Sequence, residues 1–147
     1  MHAPSVAELL SGEGAYRYGG RWNSKGVRVV YLGSSLAQAA MELLVHLGRP
    51  DSLKGYRKMQ FTFDTALLCH IDLADLPANW MAQSMASAVQ EIGDVWVQAQ
   101  ESSILQVPSA AISGEYNYLL NPAHPDANKI STGPIEPFSF DPRLQKQ

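Results

Sequence analysis

"GVRVVYLGSSLAQAAMELLVHLG", Gly26 to Gly48, changes its period halfway along, and that change decides the fold class. From Gly26 to Gly33 the run is short, β-branched and aromatic between two glycines, which predicts a buried strand. From Ser34 onward the spacing is helical. Leu36, Ala39, Ala40, Leu43, Leu44 and Leu47 recur at three- and four-residue intervals and form one apolar stripe, the expected core-facing side of a helix. Ser34 or Ser35 can cap that helix and Gly48 can end it.

The chain on either side extends the same alternation. Upstream, "YRYGGRWNSKG", Tyr16 to Gly26, crowds three basic residues, three glycines and three aromatics into eleven positions, and no obvious helix opens in the overlapping glycine-rich "SGEGAYRYGG", Ser11 to Gly20. Downstream, Met59, Phe61 and Phe63 alternate in "KMQFTFD" and predict a half-buried strand, and "ALLCHIDL" predicts the next. "DLPANW" reads as a turn around Pro77, and Met85 to Gln98 as a helix with Gly93 its weak point. "SILQVPSAAI", "NYLLN" and "PFSFD" predict three more short strands. Mixed strands with two helices give an α/β (α+β) fold in a single domain spanning residues 1–147, with residues 140–147 a polar tail expected to fray.

Composition narrows the function classes. The 147 residues carry a net charge of -3, so bulk electrostatics do not favour nucleic acid as a direct partner. No apolar run approaches a membrane span, and no secretory signal opens the chain. Cys69 is the single cysteine, which excludes an intrachain disulfide and suits a cytoplasmic location. His2, His46, His70 and His124 lack metal-site spacing, and no metal is expected. Cys69 and His70, adjacent on a strand, point to opposite faces and make a poor nucleophile pair. Neither the Rossmann nor the P-loop glycine pattern is present.

Glu42 flanks the apolar stripe near Ser35 and His46. By itself it reads first as a helix-surface carboxylate and only second as the rim of a pocket. Tyr31, Arg21 and Ser109 each have an ordinary structural reading too: a core tyrosine, a surface ion pair, a turn residue.

Read together, they resemble a family. "SGEGAYRYGGRWNSKGVRVVYLGSSLAQAAMELLVHL" is similar to the opening motif of the RES domain, the toxin half of bacterial toxin–antitoxin pairs. "DLPANW", "IGDVW", "VPSAAISGEYNYLLNPAHPD" and "FSFDPRL" follow in the family's order. The arginine, glutamate and serine of the family name fall on Arg21, Glu42 and Ser109. The resemblance implies a compact fold like that of the mono-ADP-ribosyltransferases. It also implies chemistry on NAD+ as substrate, with no resident cofactor: hydrolysis, phosphorolysis or transfer of ADP-ribose to a protein. The implied partner is an Xre-like helix-turn-helix antitoxin. A RES fold that only binds such an antitoxin is the non-catalytic alternative.

On that reading Arg21 grips the diphosphate with its planar fork of donors, and Arg17 is a second cation for it. Gly19 and Gly20 let the backbone approach the ligand. Glu42 stabilises the positive charge that builds on the ribose. Tyr31 stacks on the nicotinamide or ribose. Ser109 positions a ribose or pyrophosphate oxygen or sets the local backbone, Asn117 is a further contact, and Trp22 and Asn23 are structural. Many relatives carry an aromatic–arginine strand just upstream of this region. Here Met1 falls near the place of that arginine: either the start is assigned late or the chain is trimmed, or the strand is lost, and only if the chain is complete are an exposed sheet edge and weaker NAD+ binding expected.

Overall fold

The strand–helix junction forms where the change of period places it, within a longer series of elements. In the computed structural model, which describes residues 5–48, 52–82 and 86–145, the chain runs α1 (Val6–Leu9), α2 (Glu13–Tyr18), β1 (Val30–Gly33), α3 (Leu36–Leu47), β2 (Tyr56–Lys58), β3 (Phe61–Thr62), β4 (Leu68–His70), α4 (Ala86–Ala99), β5 (Ile104–Pro108), β6 (Tyr116–Leu120), β7 (Ser131–Thr132) and β8 (Glu136–Phe138). Ser35 rather than Ser34 caps α3, its hydroxyl accepting the Gln38 N–H at 3.1 Å, and Gly48 ends it.

Four strands make the main sheet in the order β1-β6-β5-β4. β1 and β5 both pair antiparallel with β6, while β4 and β5 are parallel and joined by the crossover helix α4. The register puts Tyr31 opposite Leu119 and Leu119 opposite Leu105; two residues on, Gly33 faces Asn117 and Asn117 faces Val107. Directly paired residues share a face, so Tyr31, Asn117, Leu105, Val107 and Leu119 all lie on one side of the sheet. That side carries the core: Trp22, Val29, Leu76, Trp80, Val89 and Trp96 pack onto Leu105, Val107 and Leu119. Among the described residues no helix is long and apolar enough to cross a membrane.

Several expectations change on contact with the structure. The glycine-rich stretch holds the helix α2, because Gly12 and Gly19 bracket Glu13–Tyr18 rather than interrupt it. The strand expected from Gly26 begins only at Val30. "KMQFTFD" splits into β2 and β3, since the two halves pair with different partners, β8 and β7. The helix expected from Met85 is described from Ala86; Met85 lies outside the described residues, as do Met1 and His2. Within residues 140–147, Pro142–Leu144 closes a short 3-10 turn capped by Asp141.

The α3 stripe is the larger correction. The buried residue of that helix is Gln38, while Leu36 is 47% exposed. Ala39, Ala40 and Leu43 instead wall an open groove of about 770 Å³, shared with Phe61, Phe63 and Tyr118. Tyr118 pairs with Leu32 and so lies on the sheet face opposite Asn117.

Candidate active site

The loop after α2 is fixed from three sides. Trp22 is 2% exposed, and burial of so large an apolar side chain is worth about 1.5–3 kcal/mol or more, which makes it an anchor. Asn23 is fully buried, and its Nδ2 donates toward the carbonyls of Ala15, Ser24 and Val27 at 2.9–3.1 Å. Helix α4 supplies the third clamp. Asp94 accepts the Ser24 N–H at 2.9 Å and its hydroxyl at 2.6 Å, and Gln90 Nε2 donates to the Gly20 carbonyl at 2.9 Å. Gly93 sits directly against the Trp22 carbonyl, with no room for a Cβ. The expected weak point of α4 is thus a point of close contact with the loop.

Tyr31 joins this loop to the sheet. Its hydroxyl donates to Asn23 Oδ1 at 2.5 Å and accepts the Trp22 N–H at 3.1 Å. A Cβ on Gly20 would come within 2.6 Å of that oxygen, so the close approach needs glycine there. Burial of the hydroxyl pushes the phenol well above its ordinary value. The Trp22 N–H opposes the shift, the Asp94 carboxylate adds to it, and the Arg21 charge opposes it. The hydroxyl is therefore a fixed structural donor, while the residue as a whole stays 41% exposed and keeps ring surface open.

Arg21, one residue before Trp22, is half-buried and held only loosely. Its Nη1 reaches the Trp80 and Met81 carbonyls at 3.5 Å each, the outer limit of a hydrogen bond. Most of its donor fork is uncommitted among the described residues. Arg17 is placed differently: α2 sets it four residues from Glu13, and its Nε donates to that carboxylate at 2.8 Å in an exposed pair that Arg28 shares. It makes no described contact with the other candidates.

Glu42 is the centre of a second cluster. Its Oε1 accepts from Ser109 Oγ at 2.6 Å, Asn117 Nδ2 at 2.8 Å and Gln38 Nε2 at 3.1 Å. These donors come from the turn after β5, from β6, and from one turn back along α3. One oxygen thus carries every described hydrogen bond to the carboxylate, and Oε2 is left for something else. Ser109 is 2% exposed and spends its whole capacity inside the protein. It donates to Glu42 and accepts the N–H groups of Ala111 and Ile112 at 3.2 and 3.0 Å. Asn117 likewise bonds to Glu42 and to Gln38. Both therefore hold the carboxylate. Gln38 is the member that pattern reading missed, although its four-residue spacing from Glu42 on a helix was a usable signal.

The structure thus brings Glu42, Ser109 and Asn117 into direct contact, and separately sets Arg21 beside Tyr31. The two groups share a sheet face, with Tyr31 diagonal to Asn117, a relation that spans about 7–8 Å. The 770 Å³ groove takes in Tyr31 but not Arg21, Glu42 or Ser109, so the four do not together line that cavity. Among the described residues no cluster of three or more His, Cys, Asp or Glu could hold a metal ion.

Comparison with known proteins assigns this arrangement to a family. The model of the RES domain matches residues 2–141. The chain is 35% identical over 142 residues to Toxin Res of Yersinia enterocolitica, covering 95% of this chain and 93% of that one. It is 36% identical over 141 residues to the Prs ADP-ribosylating toxin of a Sphingobium species, covering 94% and 88%. In fold it matches a chain of the M. tuberculosis MbcT–MbcA toxin–antitoxin complex, with a TM-score of 0.65, 19% identity, and coverage of 94% and 79%. The mixed α/β sheet-and-helix architecture is common to the two. The chain belongs to the RES domain family, the family of these toxins.

Proposed function

We propose that the protein is the toxin of a toxin–antitoxin pair and acts by cleaving the nicotinamide–ribose bond of NAD+. The observation that carries this reading is the Glu42 carboxylate, fixed through Oε1 by three donors while Oε2 stays open. As the bond to nicotinamide breaks, its electron pair leaves with the neutral nicotinamide and positive charge builds on the ribose. A preorganised carboxylate stabilises that charge at little reorganisation cost and can hold a ribose hydroxyl. Water then adds to the ribose, giving ADP-ribose and a proton. The partly open Tyr31 ring supplies a stacking surface, and the loosely held Arg21 supplies donors for the diphosphate. Ser109 and Asn117 act through Glu42.

The name of the Sphingobium relative favours a second reading of the same site, in which a protein side chain replaces water as acceptor. The solved toxin–antitoxin complex supports an antitoxin as partner, and an Xre-like helix-turn-helix protein is the proposed type. Purified protein incubated with NAD+, with and without phosphate and with cell extract, separates the outcomes. Free ADP-ribose means hydrolysis, a phosphorylated ADP-ribose means phosphorolysis, and label on a protein band means transfer. Undiminished NAD+ in all three would refute the proposal.

A further inference from the structure

Gln38 is the residue that α3 buries, and at 4% exposure its amide must be satisfied inside the protein. Its Nε2 has two N–H groups and spends both: one on Glu42 Oε1 and one on Asn117 Oδ1, each at 3.1 Å. The second bond has a consequence for the site. An asparagine amide can present either its oxygen or its nitrogen to a neighbour. With Gln38 donating to Oδ1, Asn117 must turn Nδ2 toward Glu42, where it donates at 2.8 Å. Gln38, Asn117 and Glu42 thus close a ring in which each orients the next. The Ser109 hydroxyl adds a third donor to Oε1, which has only two lone pairs. A further donor has no place on that oxygen, and an arriving hydroxyl meets Oε2.

We propose that Gln38 is a positioning residue: by fixing the orientation of the Asn117 amide it locks the Glu42 carboxylate with Oε2 as the working oxygen. The kinetic part of this inference rests on the NAD+-cleavage reading; the structural part does not. Two variants of similar length separate positioning from packing. Gln38→Met removes both donors and keeps an unbranched side chain. Gln38→Glu is closer to glutamine in shape but has no donor, and its oxygens attract Asn117 Nδ2 away from Glu42. A space-filling role ranks Glu as the milder change; a positioning role ranks Met as the milder.

The expected result for Gln38→Met is a fall in kcat for nicotinamide release of roughly 10- to 150-fold, the worth of one hydrogen bond to a charged group, with KM for NAD+ little changed. Gln38→Glu should fall further. Crystal structures of the two variants should show Glu42 displaced from Asn117. Wild-type kcat in Gln38→Glu, or a milder defect in Gln38→Glu than in Gln38→Met, overturns the proposal. If the unmodified protein leaves NAD+ intact, the function reading fails separately, and the crystal structures still decide: Glu42 and Asn117 unmoved in both variants overturns the role of Gln38.

Discussion

Every described hydrogen bond to Glu42 goes to one carboxylate oxygen, and on the proposed function the other meets the substrate, so that the neighbours of Glu42 contribute by orientation and not by direct contact. Ser109 shows this most plainly, because its hydroxyl has no capacity left for substrate. Ser109→Ala removes a donor to a carboxylate and the acceptor for two turn N–H groups at once. Stability should drop by about 1–3 kcal/mol and kcat should fall, measured by denaturant titration and by nicotinamide release. A variant as stable and active as the parent would detach Ser109 from the site. Tyr31 makes a prediction in pH. Its folded phenol titrates above the unfolded value of about 10, so its proton is retained in the fold after the unfolded chain has lost it. Its stabilising contribution is full below about pH 10 and is lost as pH rises further. The stability margin of the parent over Tyr31→Phe should therefore shrink between pH 9 and 12 in parallel urea melts; a constant margin would contradict it.

Helix α4 and the loop it grips show how far pattern reading reaches. The capped helix α3 was legible, because Ser35, the helical stripe and Gly48 are local signals. Which side of α3 faces inward was not: much of the stripe lines an open groove, and a glutamine is buried in place of a leucine because its amide finds two partners, Glu42 one turn on along α3 and Asn117 on β6. The helix α2 hid behind glycines that border it. Gly93 read as a weak helix position, yet it is where α4 meets the Trp22 carbonyl. Gly93→Ala tests that contact. Helix propensity alone favours alanine by about 1 kcal/mol. Because the new methyl meets backbone instead of a flexible side chain, the net change should be destabilising by about 1–3 kcal/mol in a denaturant melt. A stabilised variant would mean that the loop yields.

Across the fold, the site depends on contacts that no local period encodes. Ser109 and Asn117 lie 67 and 75 residues from Glu42 and reach it only because β5 and β6 are paired in one register. Their selection from the sequence came from family resemblance, whereas the division of labour, with Glu42 and Tyr31 presenting surface and Ser109, Asn117 and Gln38 holding it, comes from the hydrogen bonds. On the proposed function, the Glu42 charge does the chemistry. Glu42→Gln keeps the oxygen that accepts from Ser109 and Asn117 and replaces Oε2 with an uncharged amide, so the fold is retained while the developing ribose cation loses its counter-charge. The direct measurement is NAD+ consumption by purified parent and Glu42→Gln proteins of matched melting temperature. The expected result is steady NAD+ loss with the parent and a loss at least about 100-fold slower with the variant, the scale of removing one electrostatic stabiliser. Equal rates from the two proteins would contradict it.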